Sequence, residues 1–353
     1  CFNQFVVYLT SAVQFGFIIG TLVFAALAFA DRYSPSIVFL FSAILSALFN
    51  MFITISWVTG NDILICRFLT GFFLAGIYPV GMKIAADYFE KGLGKSLGFL
   101  VGALVLGTAF PHLIKALSIQ KSWEYVSYTT SGLSILGGSI LFYGVKDGPY
   151  RKKLGKIQFA ALSNVFRIPL LRKYALGYFG HMWELYTFWT FVPLMLSQKL
   201  NSLDYNYSIL SFSIIGFGAL ACFISGIFSN RLSGHQIALI AVTVSGACCL
   251  CFPLFFCYAS NELYIAFLLF WGIFVVADSP MFSSLVAANA PAELRGSTLT
   301  LVNSIGFLIT ILSIQFTGQM LKYLPFYYVW TILAIGPVFA VLQLVNRSNK
   351  LKL

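Results

Sequence analysis

Residues 177–189 read GYFGHMWELYTFW, and they place His181 and Glu184 three residues apart in an otherwise apolar stretch. On a helix that spacing puts both on one face, a stripe that Phe188 continues. An imidazole beside a carboxylate can take up and release protons, or it can be a static hydrogen-bonded pair. Other ionisable residues lie in apolar runs: Arg67, Lys83, His112, Lys115 and Asp278. Arg67 shares a helical face with Gly71, Leu74 and Tyr78; its guanidinium can hold an anionic group bidentately or tie neighbouring helices together. Asp278 stands two residues before Pro280, where a helix is expected to break, and reads as a gate, a proton site or a partner of basic groups. His112 can face a cavity, whereas Lys115 is close enough to an interface to snorkel. Lys83 precedes Asp87 by four residues, and an ion pair on one helical face accounts for both. At about 100° per residue it points away from Arg67, so the two do not hold one ligand. Tyr174, Tyr178, Trp183, Tyr186, Trp189 and Trp271 can wall a ligand site or simply pack.

The elements that carry these residues follow from composition. The chain is 59% hydrophobic and 9% charged over 353 residues, against about 25% charged in a soluble domain. A mean hydropathy of +0.88 completes the picture of an all-α integral membrane protein. Eleven apolar spans recur, at 9–30, 36–58, 63–88, 96–118, 125–145, 173–198, 205–229, 236–258, 262–287, 297–321 and 325–346. Lipid cannot satisfy backbone amides, so the spans are helices or barrel strands; they lack the period-two alternation of strands. Basic residues crowd every second loop, from Arg32 through Lys95, Arg151, Arg172 and Arg231 to Arg295. The intervening loops hold only Lys115, Lys121, Lys199 and Lys322. Basic loops mark the cytoplasmic side, which places the C-terminus in the cytoplasm. The net charge of +11 is therefore read as topology and not as nucleic-acid binding. Residues 1–8, CFNQFVVY, are too short to span; they are expected to be what remains of a first helix, or to follow one, and the spans are numbered two to twelve. The polar interval 147–172 divides the chain into 1–146 and 173–353, and IQFAALSNVFR within it has the pattern of an amphipathic surface helix.

The two halves resemble each other. GIYPVG from Gly76 parallels GIFVVADSP from Gly272, and LAFADRYSPS parallels GIFSNRLSGH, so that Asp31-Arg32 and Asn230-Arg231 occupy equivalent places. Duplicated halves mark transporters built from repeats. These residues resemble the major facilitator superfamily, prokaryotic type. Its loop motif Gly-x-x-x-Asp-Arg-x-Gly-Arg-Arg is matched here by Asp31 and Arg32, with Leu27 in place of the first glycine. The second copy keeps Gly226 and Arg231, with Asn230 for the aspartate. Its fourth-helix motif of an arginine and spaced glycines is matched by Arg67, Gly71 and Gly76 in RFLTGFFLAG. The antiporter motif needs a Gly-Pro pair in helix five, which GALVLGTAFPHL lacks.

The resemblance implies two pseudo-symmetric six-helix bundles that rock about a central cavity lined by helices one, four, seven and ten. It places Arg67, Tyr78, His181, Glu184, Tyr186, Trp271 and Asp278 on cavity helices as substrate or coupling residues, with His112 outside that set. Asp31, Arg32, Asn230, Arg231, Gly71 and Gly76 take gating or structural roles, Asp31 bracing the inner helix ends near helix eleven. The expectation is a monomeric secondary transporter in a bacterial inner membrane, without cofactor or bound metal. It moves a small organic solute, an anion being favoured by Arg67, with H+ as coupling ion through Glu184 or Asp278. A multidrug or metabolite efflux antiporter is the alternative within the class; a transporter-like solute sensor and an intramembrane enzyme are alternatives outside it. The sequence contains no HExxH motif. The seven cysteines, including CCLCFPLFFC, read as packing or lipid-facing residues.

Overall fold

A computed structural model describes residues 4–27, 29–88, 93–118, 122–151, 165–201, 203–229, 231–291 and 294–346, and these residues are helical with short connections. Most of the amphipathic segment expected at 157–167 lies outside the described residues. In the first half, α1 is Gln4–Ala26, α2 Pro35–Phe52, α3 Gly60–Leu74, α4 Tyr78–Tyr88, α5 Leu93–Leu117 and α6 Glu124–Gly144. In the second, α7 is Pro169–Lys199, α8 Tyr207–Phe228, α9 Gly234–Tyr258, α10 Asn261–Ala277, α11 Ser279–Asn289, α12 Arg295–Met320 and α13 Ile335–Val345. Residues 4–8 continue α1 without interruption, so they are not the stub of a separate helix; nothing in QFVVY breaks a helix.

Nine helical passages among the described residues are long and apolar enough to cross a membrane. The other two of the expected eleven, α6 and α7, have 21 and 31 residues. Hydroxyl residues dilute the hydropathy of α6, and Arg172, Lys173, His181 and Glu184 dilute that of α7. Local chemistry sets the starts. Pro35 and Pro169 open α2 and α7 at positions where a missing N–H costs nothing. Thr59 with Asp62, and Ser233 with Gln236, form reciprocal capping boxes on α3 and α9. At the other end of α9, Lys199 donates to the carbonyls of Phe255, Phe256 and Ala259 at 2.6–2.9 Å, satisfying acceptors that a helix C-terminus leaves open.

Two passages are broken at equivalent places. Between α3 and α4 the chain tightens at Ala75–Ile77, just before Pro79, with i→i−3 bonds from Gly76 to Phe73 and from Ile77 to Leu74. Between α10 and α11 the break falls at Asp278, just before Pro280. A proline removes one ladder donor and its ring excludes the preceding turn's carbonyl.

The halves repeat one packing scheme. α1 packs on α3 as α8 packs on α10, and α2 packs on α6 as α9 packs on the final passage 326–345. The halves meet along α1 with α12 and along α5 with α8, pairs that exchange under the same repeat. In lipid, close approach between helices depends on small residues. A Cβ at Gly71 would fall on the Val13 carbonyl, so α1 and α3 touch backbone to backbone. At Gly76 a Cβ would strike the Ser42 hydroxyl of α2. The gating-motif glycines thus pack the first half.

Candidate functional site

The halves enclose a cavity. Its walls are Tyr78 of α4, apolar residues of α5, Tyr178, Met182, Leu185, Tyr186 and Trp189 of α7, Val276 and Ser279 at the α10–α11 break, and Phe307 of α12. Its volume is about 20 Å³, room for about one water molecule. The halves touch at both ends of it. At the end bearing the basic loops, Thr21 and Ser304 hydroxyls meet at 2.8 Å, and the Phe17 and Phe307 rings lie 4.5 Å apart. At the other end the Gln315 amide donates to Ser11 at 2.8 Å. Along α5 and α8, Gly98 closes the basic end, its Cβ position 2.9 Å from Gly226 Cα.

The expected ionisable residues stand behind these walls and not on them. His181 Nδ1 lies 2.8 Å from Asp278 Oδ1, and each side chain is 1% exposed. The pair is one residue removed from the cavity on both sides. Tyr178 and Met182 flank His181 on α7, and Val276 and Ser279 flank Asp278, and all four line the cavity. Nε2 of His181 is buried without a partner. Glu184 turns into the second half, away from the cavity expected for it. It accepts from Trp271 Nε1 at 2.7 Å, from the Ser245 hydroxyl at 3.0 Å and from the Cys249 thiol at 3.2 Å. The stripe still faces one neighbour: His181 meets Asp278, Glu184 meets Trp271, and Phe188 lies 4.5 Å from the Trp271 ring, all on the broken passage 261–289.

Arg67 is also turned away. Its Nη1 donates to Asn50 Oδ1 at 2.8 Å, and the Asn50 amide donates onward to Ser127, Thr130 and Ser131. That network ties α2, α3 and α6. Trp271 serves as the Glu184 donor and is absent from the cavity wall, whereas Tyr78 and Tyr186 line it. His112 is half-buried on α5, separate from this cluster. Arg32 and Arg231 are exposed at helix ends. Asn230 and the Asp31 side chain lie outside the described residues, so the bracing role expected of Asp31 does too. Trp183 donates to the Ile332 carbonyl at 3.4 Å, and Tyr174 packs edge-on to His235.

Sequence reasoning missed Ser279 of the wall and Asn50, the centre of the Arg67 network. Asn50 carried a readable signal, a lone carboxamide in the apolar run SALFNMF. At the basic end, Arg151 pairs with Asp147 and donates to the Tyr33 carbonyl, while Ser34 donates to Asp147 at 2.7 Å. This clasp joins the start of the 147–172 interval to Tyr33 and Ser34, which follow the short helix Phe29–Arg32.

Comparison with known proteins agrees with this architecture. No curated protein matches the chain by sequence. Among solved structures, a proton:xylose symporter, XylE, solved with 6-bromo-6-deoxy-D-glucose bound, superposes with a TM-score of 0.75. The identity is 13%, over 96% of this chain and 85% of that one. Such low identity speaks for the fold alone. The family model of the Major Facilitator Superfamily matches residues 4–314. Duplicated halves, two broken helices facing one central cavity and that sequence match converge: the chain belongs to the major facilitator superfamily of membrane transporters.

Proposed function

We propose that the protein is a proton-coupled secondary transporter that carries a small organic solute by alternating access. The units that rock are 1–146 and 173–353, joined by 147–172, and the basic end faces the cytoplasm of a cell membrane in which the protein works as a monomer. One observation carries the reading: a cavity lies between halves that touch at both of its ends, and a His–Asp pair stands directly behind its wall at the break in a helix. Separating α1 from α12 and α5 from α8 at one end, while the other stays packed, exposes the cavity to one side at a time. Binding near discontinuous helices between repeats is the habit of such carriers.

The His181–Asp278 pair is the better coupling group. The two side chains stand at ion-pair distance, and both His181 Nε2 and Asp278 Oδ1 are buried without a hydrogen-bond partner, so the pair keeps a site at which a proton can be received. Loading that proton turns a net negative pair into a neutral one, which removes the penalty for an isolated buried charge. Glu184 already accepts from three donors on two other helices, a geometry that holds helices together. That XylE is a proton:xylose symporter supports proton coupling on the same fold. An anion preference loses the residue that suggested it, since Arg67 is committed to Asn50.

The test is purified protein in liposomes with an internal pH dye, challenged with a panel of sugars, glycosides, amino acids and carboxylates. A solute class that drives proton movement in wild type, and moves without protons in Asp278→Asn, is the expected result. Solute movement without protons in wild type, or movement of no solute in the panel, overturns the reading.

A further inference from the structure

The cavity wall itself specifies a ligand chemistry, an argument that rests on reading the cavity as the transport site. Its residues carry no charge. Of the ionisable residues expected at the site, Arg67 donates to Asn50, Glu184 accepts from its three donors, and Asp278 stands behind the wall 2.8 Å from His181. What the wall offers is hydrogen-bonding capacity on rings. Tyr78, Tyr178 and Tyr186 bring phenol rings to it. Trp189 brings an indole N–H that is buried, has no partner and belongs to a side chain on the cavity wall only 5% exposed. Indole N–H donates only, and a phenol both donates and accepts. The rings form a corner: Tyr186 stands 5.1 Å from Trp189 at 70° and 5.2 Å from Phe307.

An unpaired buried N–H is a standing deficit that a ligand acceptor repairs. An ionised ligand would find no counter-charge on this wall and would lose its hydration without return. We infer that the cavity takes an uncharged ring compound bearing several oxygen acceptors, laid against the Tyr186–Trp189–Phe307 corner with an oxygen on the Trp189 N–H. The closed cavity is too small for such a compound, so loading requires the halves to part while these wall residues keep their places on their helices.

A matched pair of probes isolates charge. Phenyl β-D-glucoside and phenyl β-D-glucuronide share both rings and differ by a hydroxymethyl against a carboxylate. Binding is followed in detergent by calorimetry, with no transport required. The glucoside should bind, and the glucuronide should bind at least about tenfold more weakly, the equivalent of 1.4 kcal/mol. Trp189→Phe removes the N–H together with the pyrrole part of the indole; it should weaken glucoside binding by roughly fivefold or more, at least the loss of one hydrogen bond. Tyr186→Phe is a second variant that preserves packing and should also weaken it. Equal or tighter glucuronide binding, no glucoside binding up to about 50 mM, where a site of millimolar affinity would be filled, or wild-type affinity in both variants overturns the inference. If the glucoside binds as described yet liposomes never move it, the ligand class stands and the transport reading falls. If liposomes move only charged solutes with protons, the reverse holds.

Discussion

Replacing Gly98 with valine should pry the cavity open at its basic end. A Cβ at this position on α5 lies 2.9 Å from Gly226 Cα and 3.0 Å from the Cys222 carbonyl oxygen of α8. Carbon atoms rest at about 3.5–4.0 Å, so the two helices must separate by roughly 0.5–1 Å. Neither obstacle is a flexible side chain, and overpacking of that kind costs about 1–3 kcal/mol. The far end of the same helix pair has slack, the Cβ position of Gly216 being 3.6 Å from that of Ala109. The strain therefore acts on the closed basic end and not on the whole interface. If closed and open forms exchange, that energy favours the open form by roughly 5- to 150-fold. Native Cys222 of α8 is fully buried, with its carbonyl at this seam and its thiol against the Val276 carbonyl of α10 at 3.5 Å, so a reagent reaches it only when the helices around it part. Its reaction with a thiol reagent supplied at the basic end, read by peptide mass, should accelerate by a factor within that range in Gly98→Val, with Gly98→Ala between it and wild type. Unchanged Cys222 labelling in a folded Gly98→Val protein would refute the idea that this seam is a gate.

Glu184→Gln should lower the unfolding temperature in detergent, because an amide cannot accept from all of Trp271, Ser245 and Cys249, and each donor left buried and unpaired costs about 1–3 kcal/mol; an unchanged midpoint would contradict the structural role. Asn50→Ala should destabilise by a similar 1–3 kcal/mol through loss of the Arg67 and hydroxyl network, while leaving ligand affinity in the cavity unaltered. Lys199→Met removes the donor to three carbonyls at the end of α9 and should cost about 1–2 kcal/mol in thermal unfolding experiments, the worth of a charge-assisted cap; a neutral effect would show that water replaces the ammonium without loss.

The helices and their pairing into a repeat were legible because lipid leaves a chain few options: long apolar runs must be helices, and basic loops must alternate. The polar residues were legible as candidates and opaque as contacts. Glu184 announced itself by its depth in an apolar stretch, but its partners come from 61, 65 and 87 residues away. One of them, Cys249, belongs to the cysteine cluster that reads as filler. Arg67 suggested an anion because a guanidinium in a bundle needs a partner, and nothing local said that the partner was Asn50 across α2 and α3. Trp271 and Trp189 have the same composition and depth. Only packing assigns one indole to Glu184 and leaves the other on the cavity wall with its N–H buried and unpartnered. Of the two readings of the first residues, helical continuity through Gln4–Ala26 removes the one that made residues 4–8 the remnant of a separate helix.

The central claim, that the two ends of one cavity open in turn, is tested most directly by distance measurements with spin labels. One pair replaces Arg32 and Arg295 at the basic end, and a second replaces Tyr8 and Tyr323 at the other; all four positions are exposed. Across acid and alkaline pH, with and without phenyl β-D-glucoside, the account predicts two distance populations for each pair, with any condition that lengthens one pair shortening the other. A single fixed distance for both pairs under every condition, or both pairs lengthening together, would contradict alternating access.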